Sequence, residues 1–331
     1  MLRFALFGAG RIGAMHAANI AANPRAALHS VYDVHAPTAA RVAQAHGARV
    51  APDVAGALAE ADAVLIASST DTHVDLITAA AKAGNPILCE KPIDLDIRRV
   101  ERCRAEIAGL GVPVQIGFNR RYDPNHRALA QAVRAGEIGA LELLIITSRD
   151  PALASMEYMR VSGGIFRDMT IHDFDLARFI LGEEPVEVYA TGSVKVEPAL
   201  AEIRDVDTAM VVMKAASGAL VHVNNSRRAV YGYDQRAEAF GSKGMLQVDN
   251  RRATTLRRWS AERTDGQDPL LHFFIQRYAE AYVHELNDFI DVVEKGGKPA
   301  VDFEDGRRAL IIADAAWESV RTGRAVTISY G

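Results

Sequence analysis

A chain of 331 residues is long enough for two domains, each with a core of its own. With 49% apolar and 24% charged residues, its composition is that of a globular protein and excludes a disordered or fibrous one. A net charge of -4 and the lack of any dense Lys/Arg run argue against nucleic acid or anionic membrane as partner. The local cluster Arg251-Arg252 and Arg257-Arg258 reads as solvated surface. Cys89 and Cys103 are too few for a disulfide framework or a Cys-rich zinc site; both sit in apolar-periodic segments, which predicts small buried side chains in a reducing cytoplasm. The N-terminal apolar run is too short for a signal peptide and no run reaches transmembrane length, so a cytoplasmic protein is expected.

Residues 1–120 alternate short apolar runs with helical patterns. Strands are predicted at 2–7, 27–33, 63–67, 86–90 and 113–118. The segments between them carry apolar residues at three- and four-residue spacing, and two end at a Gly, as a C-cap does. Such alternation implies βαβ units and a parallel sheet covered on both faces.

Gly8-Ala9-Gly10-Arg11-Ile12-Gly13 fits G-x-G-x-x-G. It follows an apolar strand, opens a helix and is followed after twenty residues by Asp33 at a strand end. Gly8 allows the tight turn, Gly10 lets backbone approach a pyrophosphate, and Gly13 lets helix pack on strand. The pyrophosphate then meets the amides of a helix N-terminus. Asp33 is placed to accept bonds from ribose hydroxyls, and its charge repels a 2′-phosphate, so NAD is favoured over NADP.

Beyond residue 120 the pattern changes. A helix near 126–136 and a strand at 140–150 precede the run "GGIFRDMTIHDFDLARF", which reads as one helix over 163–181. Strand-like runs with short turns follow, at 186–196, 207–215, 218–226, 235–242, 244–250 and 254–259. Two helices, at 272–294 and 305–322, complete an α+β domain with a largely antiparallel sheet. Residues 284–288 ("HELND") lack the second His of a zinc-protease helix and read as helix surface. The run "TAMVVMKA" is apolar on both alternating faces, yet helices suffice to cover only one.

In the 163–181 helix, Asp168 and His172 stand four residues apart on one face. Such a pair serves as a catalytic dyad, an exposed ion pair or a satisfied buried histidine. A metal site with Asp173 is disfavoured, because Asp173 points about 100° away from His172 on a helix. Lys91 stands at the carboxyl end of a parallel strand, the edge where such sheets bind ligands.

"GAGRIG", "STDTH" (69–73), "EKP" (90–92) and "GFNRRYD" (117–123) together resemble the glucose–fructose oxidoreductase/inositol dehydrogenase family. The 163–179 run and "YGYDQRAEAFGSKG" (231–244) narrow the resemblance to its inositol 2-dehydrogenase branch. It covers nearly the whole chain; Ser69 departs from it, since relatives often carry Pro there. The resemblance implies an α/β Rossmann domain over residues 1–120 and an α+β domain with an open-faced, mainly antiparallel sheet over 121–331. It places the active site between them. It implies Lys91, Asp168 and His172 as the catalytic group: oxidising a secondary alcohol needs a base titrating near neutrality, which suits His172, with Asp168 to hold its tautomer. Hydride transfer itself needs no metal. Cofactor contacts are expected from Gly8, Gly10, Arg11, Ile12, Gly13, Asp33, Ser68, Thr70, His73, Glu90 and Lys91. Substrate contacts are expected from Lys91, Asn119, Arg121, Asp168, His172 and Tyr231. For any one member of the 119–123 cluster, structural bracing is the competing reading. NAD-dependent oxidation of myo-inositol to 2-keto-myo-inositol leads, ahead of a scyllo-inositol or aldose dehydrogenase, an NAD-dependent glycosidase of the same fold, and a catalytically silent NAD sensor. The family also points to a homotetramer.

Overall fold

A computed structural model describes residues 1–331. Six parallel strands open the chain: β1 (Leu2–Phe7), β2 (Ala26–Tyr32), β3 (Arg49–Val50), β4 (Ala63–Ile66), β5 (Ile87–Cys89) and β6 (Val114–Ile116). Their order is β3-β2-β1-β4-β5-β6. Helices α1 (Arg11–Ala22), α2 (Ala36–Ala45), α3 (Val54–Ala59), α4 (His73–Lys82) and α5 (Ile97–Ile107) connect them. Every residue of β4 is fully buried, as expected of a strand covered on both faces. Neither β3 nor α3 shows in the sequence pattern, because two and six residues are too few to display a period. The order reverses between β1 and β4, so the carboxyl ends of these strands form the switch point where open sheets bind ligands.

The chain continues through α6 (Pro124–Arg134), β7 (Leu141–Arg149), α7 (Met156–Val161), α8 (Ile165–Asp168) and α9 (Ile171–Leu181). Then come β8 (Pro185–Ser193), β9 (Thr208–Ala215), β10 (Leu220–Ser226), β11 (Asp234–Gly241) and β12 (Gly244–Val248). A small ribbon, β13 (Arg257–Arg258) with β14 (Gly266–Gln267), precedes α10 (Phe274–Arg277), α11 (Ala279–Lys295), α12 (Phe303–Thr322) and β15 (Val326–Thr327). The second sheet runs β12-β11-β7-β10-β9-β8-β15 and is antiparallel throughout except between β7 and β10.

One face of this sheet is core. Val211, Met213, Val221, Val223 and Ala239 pack with Phe174 and Ile180 of α9 and with Ile312 and Ala316 of α12. The opposite face is apolar and open: Met210 is 56% exposed and Val212 44%. The register sets Met245, Phe240, Leu143 and Leu220 side by side across four strands, each exposed.

Compactness divides the chain differently from a cut at 120/121. One unit is Met1–Tyr122 with Glu280–Leu310; the other is Asp123–Ala279 with Ile311–Gly331. The cause is α11, whose Leu286, Phe289 and Ile290 share a core with Phe4, Leu6, Ile20 and Leu28. Arg25 adds ion pairs to Asp291 at 2.5 Å and Glu294 at 2.6 Å. Residues 284–288 are therefore not simply helix surface: Glu285 and Leu286 are buried. The single helix expected over 272–294 is broken at Tyr278, which is buried and directs its hydroxyl to Gln235 Oε1 at 3.2 Å. Both cysteines are buried and free, as expected.

Candidate active site

Within the first unit, Gly8 leaves β1 at φ +91° and its amide donates to Tyr32 O at 2.8 Å. A β-carbon on Gly8 would stand 2.4 Å from Ser68 N, and one on Gly13 would stand 2.0 Å from Gly8 O. Both positions are closed to side chains. Gly10 is the opposite case: nothing lies within 4 Å of its β-carbon position, and no side chain caps the helix it opens. A bare backbone before uncapped helix amides is the cradle a pyrophosphate fills. Arg11, exposed, and Ile12, half-buried, form the first helical positions.

Asp33 follows β2. Its Oδ2 accepts from Ala9 N at 2.7 Å and its Oδ1 from His35 N at 2.8 Å. Those bonds fix the carboxylate beside the glycine turn and leave each oxygen a second lone pair for ribose hydroxyls. The chain thus fits a dinucleotide by its backbone as well as by its motif.

Ser68 follows β4, its Oγ 2.7 Å from Thr72 Oγ1, and Thr70 begins a short 3₁₀ turn. Glu90 and Lys91 follow β5 at the same edge, before a cis Lys91-Pro92 bond. His73, expected among the cofactor contacts, is buried, with Nδ1 2.8 Å from Pro92 O and Nε2 3.1 Å from Ser68 O. Burial pushes its pKa below the ordinary histidine value, so a neutral ring donates to one of these carbonyls. Its place is a tie between the loops that carry Ser68 and Lys91. His16, which the sequence did not single out, approaches Glu90 Oε1 at 2.9 Å from α1. Asn119 is buried in the 3₁₀ turn after β6. Arg121, expected at the substrate, pairs with Asp305 at 2.8 Å and reaches Ala300 O at 3.4 Å, which is the bracing alternative.

The second unit carries Asp168, His172 and Tyr231. Gly163 and Gly164 both take positive φ, +82° and +81°. A β-carbon on Gly164 would meet Trp317 at 2.7 Å and Asp205 Oδ1 at 2.9 Å. That closeness lets Asp205 Oδ1 accept from Ile165 N at 2.9 Å and so cap α8. The expected continuous helix over 163–181 is in fact two. It breaks at Met169–Thr170, where Thr170 turns its hydroxyl to Asn225 Oδ1 at 2.7 Å and its amide pairs with Ile165 O. Asp168 therefore ends α8 and the half-buried His172 stands in the first turn of α9, rather than one turn along a single helix. Asp173, next to His172, is buried and accepts from Asn225 Nδ2 at 2.8 Å, which gives it a structural task.

Both oxygens of Asp168 are engaged by residues the sequence did not mark. Tyr158 Oη donates to Oδ1 at 2.6 Å, and Arg227 Nη1 donates to Oδ2 at 3.0 Å. Tyr231 is 49% exposed, but its hydroxyl donates to Asp234 Oδ2 at 2.6 Å and accepts from Arg149 Nη1 at 2.9 Å. Its proton is committed, so toward a sugar hydroxyl it offers an acceptor.

Residues 2–118 match the oxidoreductase family with an NAD-binding Rossmann fold, and residues 126–247 match the GFO/IDH/MocA C-terminal domain. Inositol 2-dehydrogenase of Rhizobium meliloti is 46% identical over 331 residues, 99% of each protein. Myo-inositol 2-dehydrogenase of Thermotoga maritima is 46% identical over 330 residues, 99% of this chain and 98% of that one. The crystal structure of a myo-inositol dehydrogenase from Corynebacterium glutamicum matches with a TM-score of 0.96 and 49% identity, covering 99% of both chains. No helix of this chain is long and apolar enough to cross a membrane.

Proposed function

The chain belongs to the GFO/IDH/MocA oxidoreductase family, and from that premise we propose that it oxidises a cyclitol with NAD, myo-inositol to 2-keto-myo-inositol. The observation that carries this reading is a complete nucleotide cradle in the same chain as a half-buried histidine, His172, close in sequence to a firmly held carboxylate, Asp168. Relatives that match over nearly the full length and act on inositol supply the substrate class.

Oxidising a secondary alcohol removes a hydride from carbon and a proton from oxygen. NAD, when bound, is the hydride acceptor. His172 takes the hydroxyl proton, and Asp168 holds the imidazole in one tautomer and stabilises its protonated form. The Lys91 ammonium donates to the substrate oxygen as alkoxide character develops. Asn119 and Tyr231 meet the remaining hydroxyls. A panel of polyols and sugars with NAD tests the proposal. Net NADH should form fastest with myo-inositol, ahead of scyllo-inositol and aldoses. Cleavage of a glycoside without net NADH would contradict it.

Asp33 makes NAD the preferred coenzyme. Replacing it with Ser should narrow the gap in kcat/KM between NAD and NADP; equal values for the unaltered protein would show that Asp33 plays no such part.

We also infer a homotetramer built on the open apolar sheet face. An exposed row such as Met245, Phe240, Leu143 and Leu220 costs free energy in water, and a second copy is the covering the family implies. Light scattering at micromolar concentration should report four chains. Val212→Asp, central on that face, should lower the assembly state; a monomeric unaltered protein would refute the inference.

A further inference from the structure

We propose that Arg227 is the positioning residue for Asp168, so that a guanidinium–carboxylate pair, and not a lone carboxylate, stands behind His172. The proposal rests on the Asp168–His172 dyad described above. Arg227 follows β10, and its side chain is 3% exposed against 12% for Asp168. Its amide is fixed to Asp207 O at 2.8 Å, and its Nη1 reaches Asp168 Oδ2 at 3.0 Å. Nε and Nη2 meet no acceptor in the chain. A buried guanidinium whose side-chain bond goes to one carboxylate is a costly way to fill space, since apolar residues pack there at less desolvation cost.

The charges facing Arg227 are Asp168 at the end of α8, Asp150 just past β7, and Asp205 in the segment before β9. Tyr158 of α7 donates its phenol proton to the other oxygen of Asp168. Burial works against the Arg227 cation, yet those three carboxylates together hold its pKa above the ordinary value. Asp205 is different, for burial pushes its carboxyl upward even though it accepts from Ile165 N and Val206 N. Asp168 is therefore the carboxylate with both a direct cation and a phenol donor.

The consequence concerns the base. A carboxylate close to an imidazole raises its pKa by about one to three units, and a base raised that far is already protonated at neutral pH. A cation on the same carboxylate cancels much of that field while leaving the geometry in place. Asp168 can then orient His172 without disabling it. Removing the Arg227 charge should raise the His172 pKa, and the acidic limb of the kcat/KM profile should move to higher pH. Removing the Asp168 charge should do the reverse. The two variants thus shift the profile in opposite directions.

The test uses the full-length enzyme with NAD and myo-inositol. It compares Arg227→Met, Arg227→Gln, Arg227→Lys and Asp168→Asn by pH profile, by NMR titration of His172, and by NADH affinity. Arg227→Met and Arg227→Gln should raise the His172 pKa and the acidic limb by about one unit, with turnover recovering at higher pH. Arg227→Lys should hold both near their original values, and NADH affinity should stay the same in all. Gln keeps a donor toward Asp168, so it reports the charge even where Met does not fold. An unmoved His172 in Arg227→Gln, beside a lowered one in Asp168→Asn, would overturn the proposal and leave the dyad standing. No movement in either variant would overturn both.

Discussion

Replacing His172 with Ala should lower kcat by roughly 10²–10⁴-fold, the usual worth of a positioned general base. His172 lies in the first turn of α9, half-buried, while the residues behind it are core: Phe174, Leu176, Ala177 and Ile180 hold the helix in place. Truncation at a half-buried position removes the imidazole without opening that core, so the loss should appear in turnover and not in the melting temperature. NADH affinity should persist, since the cradle is built from Gly8, Gly10, Gly13 and Asp33 in the other unit. Single-turnover oxidation beside a fluorescence titration of NADH separates these quantities. Near-normal chemistry in His172→Ala would make the histidine structural.

Gly13→Ala should weaken NADH binding by about 5- to 150-fold, the equivalent of about 1–3 kcal/mol of overpacking. The added methyl would sit 2.0 Å from Gly8 O. Gly8 has nowhere to retreat: its amide is bonded to Tyr32 O, and Ser68 backs it closely. The helix must then move off the turn, carrying its uncapped amides away from the pyrophosphate position. NADH titration measures the loss. An unchanged dissociation constant would mean that the turn does not set the cofactor site.

The first unit was largely legible because its information is local. Apolar runs at strand length, helical spacing and three glycines are all read within a few residues, and Asp33 lies one βαβ step away. What escaped is non-local. Apolar spacing on α11 shows that a face is buried but not against what, so its return to the core of Phe4 and Leu28 could not be read. The break at Met169–Thr170 has no Gly or Pro to announce it; Thr170 leaves the helical pattern for Asn225, fifty-five residues on. The partners of Asp168 are hidden for the same reason, Tyr158 ten residues before it and Arg227 fifty-nine after. The Gly163–Gly164 pair was visible, but its purpose, clearance for Trp317 and Asp205, belongs to packing.

Myo-inositol carrying deuterium at carbon 2 provides the most direct test of the central claim, that this chain moves a hydride from a cyclitol carbon to NAD while His172 takes the proton. Incubated with the enzyme and NAD, it should yield 2-keto-myo-inositol and NADH bearing the label, and His172→Ala should slow that transfer. Unlabelled NADH, or labelled inositol returned without net NADH, would contradict the account.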